Sequence, residues 1–346
     1  MKSVIFFLFA IAGILVVAIY LAPADSLAAD KPFILRISHS TTPEDFMYKG
    51  FVQFIEKIEA RSKGRIKCEH YHSSQLTVDR TSMVYVRDNL TQLGSAPAGI
   101  IATVAGDYRW NVFSQPWFAD GNWDTLYKVA DGKTGALLYR DLEKKFNYKI
   151  YGMYNLGWSD IGNTKRLVKS LPDLKGLKIR VAESPIWLGI FNALGCNATP
   201  MNFGEVYTAL QQKTIDGLAT IANLFITTRF TDFVKYITEL GISGSEHVMY
   251  MNRQFYDSLP PDLQKILDET LMETMVWLRK AAEKAQEEVY GKFEKQGIQV
   301  SRMTPEFLAT CKATQGPVLE KYFTPQIGKK IMEMSEYDKK FGKRGF

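Results

Sequence analysis

Residues 173–217 read DLKGLKIRVAESPIWLGIFNALGCNATPMNFGEVYTALQQKTIDG, and their pattern decides the fold class. A short strand is expected over 177–181, where apolar and basic residues alternate around Arg180. A helical run over 184–194 is closed by Gly195, and a strand-like piece over 198–202 leads into a second helix over 203–213. Strand, helix, strand, helix is the rhythm of an α/β protein, whose ligands sit beyond the strand ends. An arginine inside that unit, with Trp187 and Phe203 on either side, suits a small anion. Its planar guanidinium offers a fixed fork of donors that matches a carboxylate or sulfonate in two charge-assisted hydrogen bonds. Lysine would carry the charge without the geometry.

The same rhythm opens the chain. Residues 33–38 alternate as a strand, 39–45 form a polar turn with Pro43, 46–62 have helical spacing, and 65–72 alternate again. The loop over 73–77, with Gln75, therefore points at a crevice. His70 and His72 share one strand face, but no acidic or cysteine partner accompanies them, so they are read as a solvent-facing or hydrogen-bonded pair and not as metal ligands. A helix over 80–89, a strand over 91–96 and a loop with Pro97 and Gly99 come next. The stretch WNVFSQPW over 110–117 is read as core packing, since each aromatic ring has a large area to bury. One helix is expected over 123–146 and a strand over 148–154, after which the glycines and polar residues from Asn155 onward mark a crossover into a second domain. A strand over 247–252 would cross back. Residues 260–296, opened by Pro260 and closed by Gly297, repeat apolar residues at helical spacing. At about 1.5 Å per residue that helix exceeds about 50 Å, longer than one such domain, and is expected to brace both.

Length and composition bound the rest. A chain of 346 residues, 46% hydrophobic, can bury a sizeable core as one large or two medium domains. Lys+Arg 43 against Asp+Glu 37 leaves a net charge of +6, mixed along the chain, which argues against nucleic-acid binding. Lys2, the uncharged apolar run 4–22 and the small residues Ser26-Leu27-Ala28 read as an export signal over 1–29, cleaved near Ala28 or Ala29. The run is also long enough to span a bilayer, so an uncleaved anchor is the alternative. The three cysteines, Cys68, Cys196 and Cys311, lie far apart among apolar neighbours and are read as buried free thiols, although one disulfide could form in three ways. No C-x-x-C, G-x-S-x-G, H-E-x-x-H or phosphate loop occurs, so neither a metal, a cofactor nor a catalytic residue is assigned.

The pattern LKGLKIR followed by ALG, PMNFGEVYTALQQ and IDG resembles the periplasmic solute-binding proteins of TRAP transporters, the dicarboxylate-binding (DctP) type. The likeness extends over nearly all of the chain after residue 30, through the strand ending in SHS, GRIK followed by SSQL, QPWF and SLPPDLQKIL. It implies a two-lobed α/β periplasmic binding protein with crossing hinge strands and a long bracing helix. The lobes would be 30–154 with 246–280 and 155–245 with 281–346. On that resemblance Arg180 anchors the ligand's acid group, Phe203 lines the pocket, Thr220 stands where many relatives have an asparagine, and His39, Gln75, Ser95 and Trp117 belong to the opposite lobe. Two departures stand out. Gly157-Trp158-Ser159 replaces a G-F-R motif, and Leu218-Ala219-Thr220 replaces Q-E-N. With one cation and one amide fewer, the expected ligand is a small monoanion, a monocarboxylate or an organosulfonate such as isethionate, with Trp158 closing the pocket; a C4-dicarboxylate is the alternative. The implied partners are the membrane subunits of the transporter. A periplasmic enzyme acting on an organic acid and a membrane-tethered ligand sensor are the competing readings. For Arg180 the competing reading is a surface ion pair with Glu183 or Glu205, of a kind that contributes little.

Overall fold

The computed structural model describes residues 31–201 and 203–345; the proposed export signal lies outside them. Among the described residues ten strands join in one sheet that changes partners halfway. β1 (Phe33–Ser38), β2 (Ile66–Tyr71) and β3 (Leu93–Pro97) pair in parallel, and helix α1 (Phe46–Arg61) connects the first two. α2 (Asp79–Arg87) leads into β3, and α3 (Ala98–Ala105) follows directly. α4 (Trp123–Ala130) and α5 (Lys133–Phe146) then deliver the chain to β4 (Tyr148–Asn163).

β4 is the spine of the molecule. Its first part pairs with β9 (Gly244–Asn252), which in turn pairs with β3. Its last residues, Ser159 to Asn163, pair with β7 (Gly217–Ile221) on one edge, and β8 (Tyr236–Glu239) takes Ile161 to Asn163 on the other. β7 adjoins β5 (Lys178–Val181), and β5 adjoins β6 (Asn197–Pro200), both in parallel. This half of the sheet is accompanied by α6 (Pro185–Ala193), α7 (Val206–Gln211), α8 (Ala222–Thr227) and β10 (Gln299–Arg302), which pairs with β8. The glycines and polar residues after Asn155 are thus not a loop but part of one 16-residue strand. A register shift between Asn155 and Trp158 absorbs them, and Gly157 there adopts φ +139°, a conformation side chains rarely tolerate.

α9 (Pro261–Lys295) runs for 35 residues as its apolar spacing predicts. It packs on α1 and β4, and farther along on α8 and β10. Gly50 lets α1 approach, since a Cβ there would stand 2.8 Å from a Leu278 methyl and 3.0 Å from the Trp277 ring. Arg279 fixes the crossing point. It is 1% exposed, forks onto Asp131 through two 2.7 Å hydrogen bonds, donates to the Met153 carbonyl, and lies over the Tyr127 ring at 3.9 Å. Asp131 sits where the expected single helix over 123–146 divides into α4 and α5. The expected loop at Pro97 and Gly99 is instead the entry to α3, because Pro97 stays extended as its N-cap. α10 (Pro305–Ala313) follows β10, and α11 (Lys329–Phe341) returns to pack on α4 and α5 in the first lobe. Cys68, Cys196 and Cys311 are all free, but only Cys196 and Cys311 are buried while Cys68 is half-buried; the loss of solvent pushes all three thiols up to about 12. Among the described residues no helix is long and apolar enough to cross a membrane.

Candidate functional site

Arg180 lies on β5, paired with Thr199 on one side and Leu218 on the other, and only 5% of it is exposed. Its Nε and Nη2 both donate to the Met201 carbonyl, at 3.0 and 2.8 Å, so half of the fork is held by the chain just beyond β6. The Phe203 ring stands 5.4 Å from the guanidinium and leans edge-on against Phe230 at 5.6 Å. Burial pulls the Arg180 pKa down to about 10, with Glu183 opposing the shift, and the group stays charged at neutral pH. Among the described residues no carboxylate pairs with it, so the surface ion pair to Glu183 or Glu205 is absent. Burying a cation is costly unless an anion joins it. Thr220, half-buried on β7, faces Asp160 of β4.

Asp160 is the second buried charge site in this lobe. Its carboxylate accepts from the Leu240 and Gly241 amides at 2.8 and 3.1 Å and from the Tyr290 hydroxyl at 2.8 Å. Burial outweighs these donors and raises its pKa to about 7. It ties β4 to α9 and to the segment between β8 and β9.

The first lobe contributes the strand ends opposite. His39, just past β1, is 3% exposed; its Nε2 meets His70 Nε2 at 2.7 Å, its Nδ1 meets the Thr41 hydroxyl at 2.9 Å, and it stacks on Phe51 at 4.9 Å. Burial, aided by His70, His72 and His247, lowers its pKa to about 3. The hydrogen-bonded reading of His70 therefore holds, and His72 bonds Ser73 at 2.8 Å. Ser95 on β3 accepts from the Tyr154 hydroxyl of β4 at 2.9 Å. Between the lobes, Asn223 of α8 reaches Asp45, the N-cap of α1, at 3.4 Å. Ile221, at the end of β7, packs in the same apolar cluster as Met47, Tyr154 and Leu156.

Arg180 and Phe203 thus come together, while His39 and Ser95 are each buried in the first lobe with partners of their own. The other expected residues are placed differently. Gln75 is exposed on its loop. Trp117 is 6% exposed and donates its indole N–H to the Leu240 carbonyl at 3.0 Å, which fastens the segment joining β8 to β9. Trp158 packs edge-on against Trp123 at 5.3 Å, its amide donates to Gln286 at 3.0 Å, and its indole nitrogen is buried without a partner among the described residues. Sequence reasoning missed Asp45, Asn223, Asp160 and His247. Each belongs to an unremarkable local pattern and acquires a role only through a neighbour distant in the chain.

Compared with known proteins, residues 37–326 match the family described as "Bacterial extracellular solute-binding protein, family 7". The chain is 28% identical over 275 residues to the 2,3-diketo-L-gulonate-binding periplasmic protein of Escherichia coli, covering 80% of this chain and 82% of that one. It is 30% identical over 271 residues to the C4-dicarboxylate-binding periplasmic protein of Rhodobacter capsulatus, covering 76% of this chain and 78% of the other. In structure it is similar to a TRAP periplasmic solute binding protein from Ochrobactrum anthropi, with a TM-score of 0.81 and 23% identity over 90% of this chain and 95% of that one.

Proposed function

The chain belongs to family 7 of the bacterial extracellular solute-binding proteins, and from that premise we propose that it captures a small organic acid anion on Arg180 and presents it to the membrane subunits of a TRAP transporter. One observation carries this reading: a guanidinium 5% exposed, half-anchored by a backbone carbonyl, with no carboxylate at ion-pair distance among the described residues. The acid group of a ligand would complete the fork and supply the missing charge. Phe203 covers one side of it. Ser95 and His39 stand on the other lobe, and closure about β4 and β9 brings both sides onto the ligand. Only contacts made with both lobes together shift the population toward the closed form.

The ligand is proposed to be a monoanion, either a monocarboxylate or an organosulfonate such as isethionate. Ser159 stands where many relatives have a second arginine, so the second lobe offers one cation at this place. A C4-dicarboxylate is the second reading, favoured by the name of the Rhodobacter relative. The lobe division, 30–154 with 246–280 and 155–245 with 281–346, is likewise a proposal; the packing of α11 on α4 and α5 favours moving 329–341 to the first lobe. Export by a signal over 1–29 is proposed from the sequence.

A thermal-shift screen of the mature chain against small carboxylates and sulfonates, with Arg180→Ala alongside, tests the reading. A ligand at a hundred times its Kd stabilises the native state by about 2.7 kcal/mol. The expected result is that one monoanion raises the Tm of the wild type and not of the variant, with Kd weakened about 30-fold or more by loss of the buried charge partner. Stronger stabilisation by dicarboxylates would overturn the monoanion assignment. An equal shift in both proteins would overturn Arg180 as the anchor.

A further inference from the structure

The chain has four histidines, and the fold brings them to the same end of the first lobe. His70 is the last but one residue of β2 and His72 lies just past it; His39 lies just past β1; His247 sits on β9 opposite both Pro97 of β3 and Tyr154 of β4. His39 feels all the others, since His70, His72 and His247 each disfavour its charged form. In sheet order the row runs β2, β1, β3, β9, β4, and it contains no lysine or arginine at these positions.

His247 differs from the other three. His39, His70 and His72 each place a ring nitrogen within hydrogen-bond distance of a partner. The His247 ring is 5% exposed, yet its Nδ1 has no partner among the described residues. A buried polar nitrogen left without a partner is unfavourable, and in a native structure it marks a place where something else completes it. The groups around the ring decide what that is. Burial lowers its pKa, so it offers one donor and one acceptor, while Asp79 of α2 acts from nearby in the opposite sense. Asp79 accepts from Ser40, the Tyr154 hydroxyl is committed to Ser95, and the Tyr154 ring lies 5.7 Å from the imidazole. A second carboxylate arriving here would meet an aspartate and a neutral ring. A hydroxyl or keto oxygen would meet a donor.

The end of β7 approaches this side of the first lobe: Ile221 shares an apolar cluster with Tyr154, Asn223 reaches Asp45, and β7 is the strand next to that of Arg180. We propose that His247 is the specificity-determining residue for the uncharged end of the ligand: Arg180 holds the acid group from the second lobe, and the His247 ring takes a hydroxyl or keto oxygen from the first. The protein then selects hydroxy- or oxo-substituted organic acid monoanions over unsubstituted acids and dicarboxylates. This deepens the solute-capture reading and rests on it.

Calorimetric titration of the purified wild type, His247→Ala, His247→Gln and Arg180→Ala tests the inference with matched probes: lactate and propionate, isethionate and ethanesulfonate, gluconate and hexanoate, with succinate as the dicarboxylate. In the wild type the hydroxylated member of at least one pair binds tenfold or more tighter than its partner. His247→Ala brings that pair within about twofold by weakening the hydroxylated member alone. His247→Gln, which keeps a donor and an acceptor, retains part of the discrimination, and Arg180→Ala loses both members. The inference is overturned if either His247 variant, whichever folds, keeps the full wild-type ratio or weakens both members equally, or if succinate outcompetes every monoanion. If the wild type binds none of the probes, solute capture at Arg180 fails as a reading and this inference falls with it.

Discussion

The buried ionisable side chains pull stability in two directions as pH changes. Burial lowers the pKa of His39 to about 3 and of His70 to about 4, both below the ordinary value of 6.5. The unfolded chain therefore takes up protons first on acidification, and this contribution to stability is lost as pH falls from about 6.5 toward those values. Glu246 and Asp160 act with the opposite sign. Burial raises them to about 8 and about 7, so the native state holds their protons longer, and that contribution is lost as pH rises through those values. Between pH 7 and 8 His39 and His70 are mostly neutral in both states and the carboxyl groups dominate. Urea melts across that window are expected to show wild-type stability falling with pH and Glu246→Gln falling less, at up to about 1.4 kcal/mol for each pH unit that one wholly buried carboxyl spans. Equal slopes for the two proteins would mean that Glu246 is already ionised in the native state.

At the scale of elements, α9 depends on a single crossing more than on its length. Arg279 joins Asp131, the Met153 carbonyl and the Tyr127 ring at one buried point, and so links helix, crossing strand and first-lobe helices. Arg279→Met leaves Asp131 buried without its cation, and the expected cost is about 3–5 kcal/mol by chemical denaturation; a loss below about 1 kcal/mol would show that water replaces the guanidinium freely. The helix itself was plain in the sequence, because Leu263, Leu267, Leu271, Met275 and Leu278 recur at the helical period and all are buried. Arg180 was equally plain, since its strand is short, alternating and followed by a Pro-led helix. β4 was not. Its glycines and polar residues look like a turn, and only the partner strands β9, β7 and β8 show that the chain stays extended through them. Trp117 shows the same limit: a tryptophan near a pocket and a tryptophan clamping a linker are identical until the Leu240 carbonyl is found beneath the indole. The pairing of Asp45 with Asn223, separated by 178 residues, leaves no local trace at all.

For the whole molecule, that pairing is a direct polar contact between α1 in one lobe and α8 in the other. At 3.4 Å this amide-to-carboxylate hydrogen bond is long, and its contribution is about 0.5–1.5 kcal/mol, below the usual range for a charged acceptor. Asn223→Ala is expected to speed ligand release about two- to tenfold in stopped-flow measurements while association changes little, the outcome for a contact that belongs to the closed form. A slower association with unchanged release would place the contact in the open form instead. The course of β4 has a further consequence. Since one strand and one 35-residue helix each belong to both lobes, neither lobe can be cut out as a domain that folds alone. A fragment ending inside β4 would expose half a hydrogen-bond ladder, and one ending inside α9 would leave part of its floor uncovered. The shared strand and helix couple the two halves, so the molecule is expected to unfold as one cooperative unit.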